Sequence, residues 1–220
     1  MNGPVALLLA HPDDETFLAA ALIRTLANRG EAPVLLVATR GDAGLRGSQQ
    51  ARLLGSNLGA ERERELAEAA AILGIKEVGH LGYPDGCLAE ADEDEVIRQV
   101  AEYLAVHKPA ALVTFPLDGG NGHPDHMAIS RIGTRLVKDG HIPGLRQLYY
   151  VGSLALHEQG RKEALVLDTA LHWDVKAAAL AAHRSQADTI SRYFGDLSAP
   201  PVEWQHERFY LAWEDGKDWP

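Results

Sequence analysis

Cysteine is almost missing from this chain: Cys87 is the only one among 220 residues. A single thiol excludes an intrachain disulfide and any zinc site built from cysteines. Positive charge is scarce too. Lys and Arg number 21 against 31 Asp and Glu, a formal net charge of -10. That balance argues against nucleic acid or an anionic membrane as partner, since both are normally met by a basic patch, but it leaves a small-molecule substrate open. The start, MNGPVALLLAHPDDE, has no basic segment, and its apolar run is too short for a signal peptide or a membrane span. A cytoplasmic enzyme or binding protein is the expectation. The first strand-helix turn also lacks G-x-G-x-x-G, which disfavours a dinucleotide site.

What is present suits one α/β domain over residues 1–220, with 46% hydrophobic and 24% charged residues to build a core and its surface. Short apolar runs at 5–10, 33–39, 77–82, 110–115 and 148–152 read as strands. Between them, 15–29, 60–74, 93–107 and 125–138 have helical period. This alternation predicts a mostly parallel sheet with helices on both faces. The unbroken hydrophobicity of VALLLA and VLLVA fits strands buried on both sides. Beyond residue 140 the pattern weakens to a strand at 164–169, a helix at 174–186, a closing strand at 207–213 and a loose polar end. No internal repeat, low-complexity tract or separating linker interrupts the chain.

Ligands of open parallel sheets bind beyond the carboxyl ends of the strands. The four connections expected there are HPDDE, RGDAGLRGSQQARLLGSNLG, YPDGCLAEAD and PLDGGNGHPDH, each carrying His, Asp or Arg. The second has about twenty residues without periodicity, beyond the roughly 12–15 at which structureless loops become uncommon, and such loops are usually functional or mobile.

In HPDDE, a helix N-terminus explains Pro12, Asp13, Asp14 and Glu15, because proline suits the first turn and acids face the positive end of the dipole. It does not explain His11. A metal site does, with His11 at the strand end and Asp14 in the first helical turn gripping one cation and Asp13 beside it. HPDH adds His123 and His126, three residues apart and on the same sheet edge. Two histidines and a carboxylate with positions left open suit hydrolytic zinc or non-haem iron. Spacing does not choose between His123 and His126 as ligand.

AHPDDE at 10–15 and HPDH at 123–126 resemble the LmbE-like, or PIG-L-type, N-acetylglucosaminyl deacetylases. ATRGDAG (38–44), RERELAEAAAILG (62–74), LGYPDG (81–86) and AHRSQ (182–186) support the likeness. The resemblance implies a Rossmann-like three-layer fold, a zinc ion (Fe2+ or another divalent metal being the alternative), and removal of the acetyl group from an N-acetyl sugar or its conjugate. It implies His11, Asp14 and His126 as metal ligands, Asp13 as general base, and His123 as the group that stabilises the oxyanion and assists the leaving amine. Arg62 and Asp85 match positions that contact sugar hydroxyls. Glu15 is expected to support the metal shell, since ligating histidines usually donate their second N–H to a carboxylate or carbonyl. His183 in AHRSQ is read either as a support behind the metal shell or, the preferred reading, as a helix-face histidine. Trimers or hexamers are common among members, which leaves a homo-oligomer open. Two departures stand out: Asn121 occupies a position where some members carry an aromatic ring, and Asp42 stands where Glu is common.

Two rivals remain at this level. A metal-dependent hydrolase of another bond, such as a phosphoester, would want a second carboxylate cluster or a glycine-rich phosphate cradle. A non-catalytic sugar-binding protein with the same fold would have no need of Asp13 and His123.

Overall fold

The computed structural model describes residues 1, 3–44 and 58–219. Five strands run parallel: β1 (Val5–Leu9), β2 (Val34–Thr39), β3 (Glu77–Tyr83), β4 (Ala111–Thr114) and β5 (Gln147–Val151). Three more, β6 (Leu165–Asp168), β7 (His206–Glu214) and β8 (Lys217–Asp218), pair antiparallel. The order across the sheet is β3-β2-β1-β4-β5-β7-β6, with β8 on β7. Every residue of β1, β2 and β4 is buried, as expected for strands covered on both faces. β3 lies at the edge and is half exposed. There Gly79 leaves the space that the Tyr103 ring fills, and the Tyr103 hydroxyl donates to the Leu35 carbonyl at 3.1 Å.

Helices α1 (Asp14–Asn28), α2 (Leu58–Leu73), α3 (Glu93–His107), α4 (Pro124–Lys138), α5 (Leu154–Glu158), α6 (Trp173–Ala182) and α7 (Ala187–Phe194) complete the layers. α6 packs across α1 and α2, whereas α3 packs against α4. Among the described residues, no helix is long and apolar enough to cross a membrane.

The mostly parallel sheet and the strand-helix alternation match the sequence expectation. Two details differ. The helix expected at 174–186 ends at Ala182 and turns through a short 3-10 segment at Arg184–Gln186. Within the polar segment expected to be loose, Lys217 and Asp218 pair with Glu214 and Trp213 of β7. The functional loop expected at 40–59 falls largely outside the described residues, at 45–57.

β1 has β2 on one side and β4 on the other. The chain moves outward to β3, then returns to add β4 on the opposite side. That reversal opens a crevice beyond the carboxyl ends of β1 and β4, the usual ligand position of such sheets.

A buried ion pair ties the second half of the chain to α1. Lys176 of α6 and Glu207 of β7 meet at 2.9 Å, both almost fully buried. The Glu207 carboxylate also accepts from the Ala21 and Leu22 amides at 2.9–3.1 Å, and the Lys176 ammonium donates to the Phe17 carbonyl at 2.9 Å. Removing one partner of such a pair strands a charge. Lys176→Met is therefore expected to cost about 3–5 kcal/mol of stability, whereas Lys176→Met with Glu207→Gln recovers part of it. Urea unfolding of the three proteins checks this.

Candidate metal centre

The site begins where β1 stops. Pro12 and the acids behind it start α1. Asp14 Oδ2 accepts from the His11 amide at 2.7 Å and the Ala10 amide at 3.2 Å. The helix therefore begins by gripping the strand end, and the His11 ring projects into the crevice. From the other side, α4 starts at Pro124 with His123 as its N-cap. The His123 Nδ1 accepts from the Asp125 amide at 3.2 Å.

These turns bring three donors together. His11 Nδ1 lies 3.1 Å from His126 Nε2 and 3.6 Å from Asp14 Oδ2, and His126 Nε2 lies 3.5 Å from Asp14 Oδ1. Two ligands at zinc-ligand bond lengths and a tetrahedral angle sit roughly 3.4 Å apart. The triangle is thus of the right size for one divalent ion.

The opposite ring nitrogens are held so that the inner ones converge. His126 Nδ1 donates to the Gly119 carbonyl at 3.0 Å, leaving a lone pair on Nε2. His11 Nε2 faces Asp125 Oδ2 at 3.2 Å and Asp85 Oδ1 at 3.3 Å, leaving Nδ1 for the centre. The Phe115 ring stacks on His126 at 3.9 Å and fixes its plane. Gly119 has φ +72, and a Cβ there would press on His126 and Met127, so glycine is required for this carbonyl to reach the ring.

Two wider donor sets also converge, His11 with His123 and His126, and His11 with Asp85, His123 and Asp125. The His11–Asp14–His126 triangle suits an ion better. His123 Nδ1 is already engaged by the helix, and the two Asp125 oxygens accept from the Gly86 and Leu88 amides at 2.7 and 3.0 Å.

The electrostatics follow the same division. Burial alone would raise the Asp14 carboxyl, but the His126 and His11 imidazoles and the His11 amide hold it at about 2. Burial depresses the His126 imidazole, only partly opposed by Asp14, so it favours the neutral form that a ligand needs. Burial also acts to depress His11, but Asp125, Asp14 and Asp85 raise it well above its ordinary value. Burial pushes Asp13 up to about 6, with the Arg62 guanidinium pulling the other way.

Asp13 stands beside the triangle in an unusual conformation, φ 121 and ψ -28, a region that L-residues rarely adopt. Its carboxylate accepts from Arg62 Nη2 at 2.9 Å. Arg62 is 2% exposed, and its guanidinium also donates to the Pro12 and Gly41 carbonyls. Gly41 and Gly44 lie so close that a side chain at either would meet the guanidinium. Arg62 thus stands behind Asp13. Asp85 is buried beside His11 and accepts from the Ala43 amide at 3.2 Å.

All the metal-site candidates read from the sequence, His11, Asp13, Asp14, His123 and His126, therefore meet in one crevice, with Asp85 bordering it. Two supporting expectations are corrected. Glu15 does not touch His11. Its carboxylate accepts from the Asp13 amide at 3.0 Å, from the Thr16 hydroxyl and from His183 Nε2 at 2.9 Å, because the helix turns it away from the crevice. His183 is not on a helix face. It follows α6 and is wholly buried against Glu15. The sequence reading also missed Asp125, whose buried carboxylate backs His11. The rule that a ligating histidine needs a partner for its second N–H pointed to a carboxylate, but not to one 114 residues away.

At the level of class, fold and site define a three-layer α/β protein with a His/Asp cluster fit for a divalent ion at the switch point of its sheet. The family model described as PIG-L, GlcNAc-PI de-N-acetylase, matches residues 6–137, and the chain belongs to this family. The chain is 30% identical over 228 residues to the probable N-acetyl-alpha-D-glucosaminyl L-malate deacetylase 2 of Bacillus cereus, covering 97% of this chain and 100% of that protein. Among solved structures it resembles the N,N'-diacetylchitobiose deacetylase of Pyrococcus horikoshii, with TM-score 0.72, 20% identity, and coverage of 97% of this chain and 84% of that one. It also resembles the 4-carboxy-2-hydroxymuconate hydratase of Pseudomonas putida, with TM-score 0.62, 20% identity and 96% coverage of each. At such identity these structures speak for the fold alone.

The raised Asp13 carboxyl carries a signed consequence in the metal-free protein. A carboxyl whose folded pKa exceeds its unfolded value destabilises the fold once it ionises. Stability is therefore lost as pH rises from about 4, through about 6. Asp13→Asn, with chelator present, is expected to gain on the wild type across this window by about 2 kcal/mol. Unfolding at pH 4 and at pH 7 measures the difference.

Proposed function

We propose that this chain is a zinc-dependent deacetylase that removes the acetyl group from an N-acetylglucosamine-type sugar or its conjugate, releasing acetate and a free amine. The observation that carries the reading is the His11–Asp14–His126 triangle with Asp13 beside it and not engaged in the triangle. Membership of the GlcNAc-PI de-N-acetylase family and the named activity of the Bacillus cereus relative support the choice of bond.

In this reading His11, Asp14 and His126 hold the ion. When bound, it supplies Lewis acidity, polarising the acetyl carbonyl and lowering the pKa of a water from about 15.7 to about 7. Asp13 takes the proton of the attacking water as the new C–O bond forms. Its pKa, about 6 without metal, places it near the range a general base needs at neutral pH. His123 accepts a helix amide at Nδ1, which leaves Nε2–H as its donor. That donor stabilises the developing oxyanion and then assists protonation of the leaving nitrogen as the C–N bond breaks. Asp85 and Arg62 are the residues assigned to sugar hydroxyls. For Arg62 the assignment is narrower than for Asp85, since its guanidinium is spent on Pro12, Asp13 and Gly41.

Three measurements test this reading. Wild-type protein loaded with zinc is expected to release amine from N-acetylglucosaminyl conjugates and to stop on chelation. No release from any conjugate would defeat the proposal. Asp13→Ala is expected to retain a stoichiometric metal by elemental analysis while losing nearly all turnover, and loss of the metal would remove its assignment as base. Asp125→Asn is expected to weaken metal binding about 10–100-fold, read by competition with a chromophoric chelator.

A further inference from the structure

Apart from Arg62, the motifs RERELAEAAAILG and AHRSQ are not used by the chemistry just described. The structure joins them in a buried polar circuit behind Asp13. On α2, Arg62 and Glu65 lie one turn apart. Arg62 donates to the Asp13 carboxylate at 2.9 Å. Glu65 accepts from the Ser185 amide at 2.7 Å and the Ser185 hydroxyl at 2.6 Å, anchoring the turn that follows His183. His183 Nε2 in turn meets Glu15 Oε1 at 2.9 Å, and Glu15 Oε2 accepts the Asp13 amide at 3.0 Å. Arg62, Glu65, Glu15, His183 and Ser185 are all nearly or wholly buried. The circuit links α1, α2 and the end of α6, and it closes on the residue with the most strained backbone of the site.

We propose that Glu15 and His183 are positioning residues that hold Asp13 in its φ 121 conformation and so aim its carboxylate at the reacting water; this rests on the reading of Asp13 as general base. A non-glycine residue at such a φ costs about 1–3 kcal/mol and persists only where its surroundings over-determine it. Here three separate contacts do so. Glu15 fixes the Asp13 amide, the Thr16 and Phe17 amides fix its carbonyl at 2.9 Å each, and Arg62 fixes its carboxylate. The helix contact forms wherever α1 starts, and Arg62 holds the Asp13 carboxylate together with the carbonyl side of the Pro12–Asp13 peptide. The amide side of the same peptide is held by Glu15, and that contact depends in turn on His183. Glu15 keeps its place through the neighbouring Thr16 hydroxyl and through His183, whose Nδ1 has no partner among the described residues, so the ring's polar engagement runs through Nε2. A ring turned away from Glu15 would leave that carboxylate with the Thr16 hydroxyl alone among the side chains of the described residues and let the Asp13 peptide relax.

The test compares wild type with His183→Leu, which fills space without a donor, and His183→Gln, which returns an N–H near the position of Nε2. A displacement of catalytic groups on the order of 1 Å costs ~10²-fold in rate. His183→Leu is therefore expected to lose about that factor in kcat, with KM within about threefold and the metal content unchanged. His183→Gln should recover at least tenfold of the loss, and a crystal structure of His183→Leu should show Asp13 at negative φ. Retention of kcat within threefold, or Asp13 still near φ 121 in the Leu variant, would overturn the proposal. So would loss of metal in proportion to loss of rate, with no recovery by Gln. Should His183→Leu not fold, Glu15→Gln is read by the same measurements under the same criteria. If the wild type deacetylates nothing, the functional reading falls, while the Asp13 backbone in the two crystal structures still decides whether this pair holds it.

Discussion

The joint between β1 and α1 is the contact on which the rest of the site depends. One oxygen of Asp14 takes the last two amides of the strand end, Ala10 and His11, and the other faces His126 across the crevice. A single carboxylate thereby ends a strand, starts a helix and orients one face of the donor triangle. The geometry works because β1 is buried between β2 and β4 and cannot slide. A shift of one residue in a strand would turn His11 to the opposite face.

Around this joint the protein sorts its buried charge by task. Asp14 is held ionised, His126 neutral, and Asp13 is raised toward neutrality, although all three share one crevice. The separation comes from partners: Asp14 faces imidazoles and amides, whereas Asp13 is desolvated with one guanidinium against it. Asp125 and Asp85 stand on the outer side of His11 and leave its inner nitrogen free. Buried ionic contacts elsewhere have another use. Lys176 with Glu207, and the Arg62–Asp13–Glu15–His183 chain, attach α6 and β7 to α1, so the second half of the chain reinforces a site built from the first.

Much of this was legible in the sequence because it is local. VALLLA, PVLLVAT and AALVTF are strands because continuous apolar runs of that length can be buried only inside a covered sheet, and the helices between them carry their own period. HPDDE and HPDH each hold ligand-type residues within one helical turn, so their internal geometry follows from helix spacing. The expectations for Glu15 and His183 failed for the converse reason. Glu15 has two directions open to it at a helix start, toward the histidine or away. It takes the second, where the Asp13 amide, the Thr16 hydroxyl and His183, which arrives 168 residues later, receive it.

The sequence by itself determined the class of fold, the sheet edge on which the site lies and the residue types gathered there, since periodicity and turn chemistry act over a few residues. Only the tertiary structure decided how the two motifs meet across the switch point, and which carboxylate backs which imidazole. It also decided that Asp13 is held in a conformation no local preference would choose. Those outcomes depend on contacts between segments more than 100 residues apart. Their geometry exists only once β1 and β4 lie side by side and α6 closes over α1 and α2.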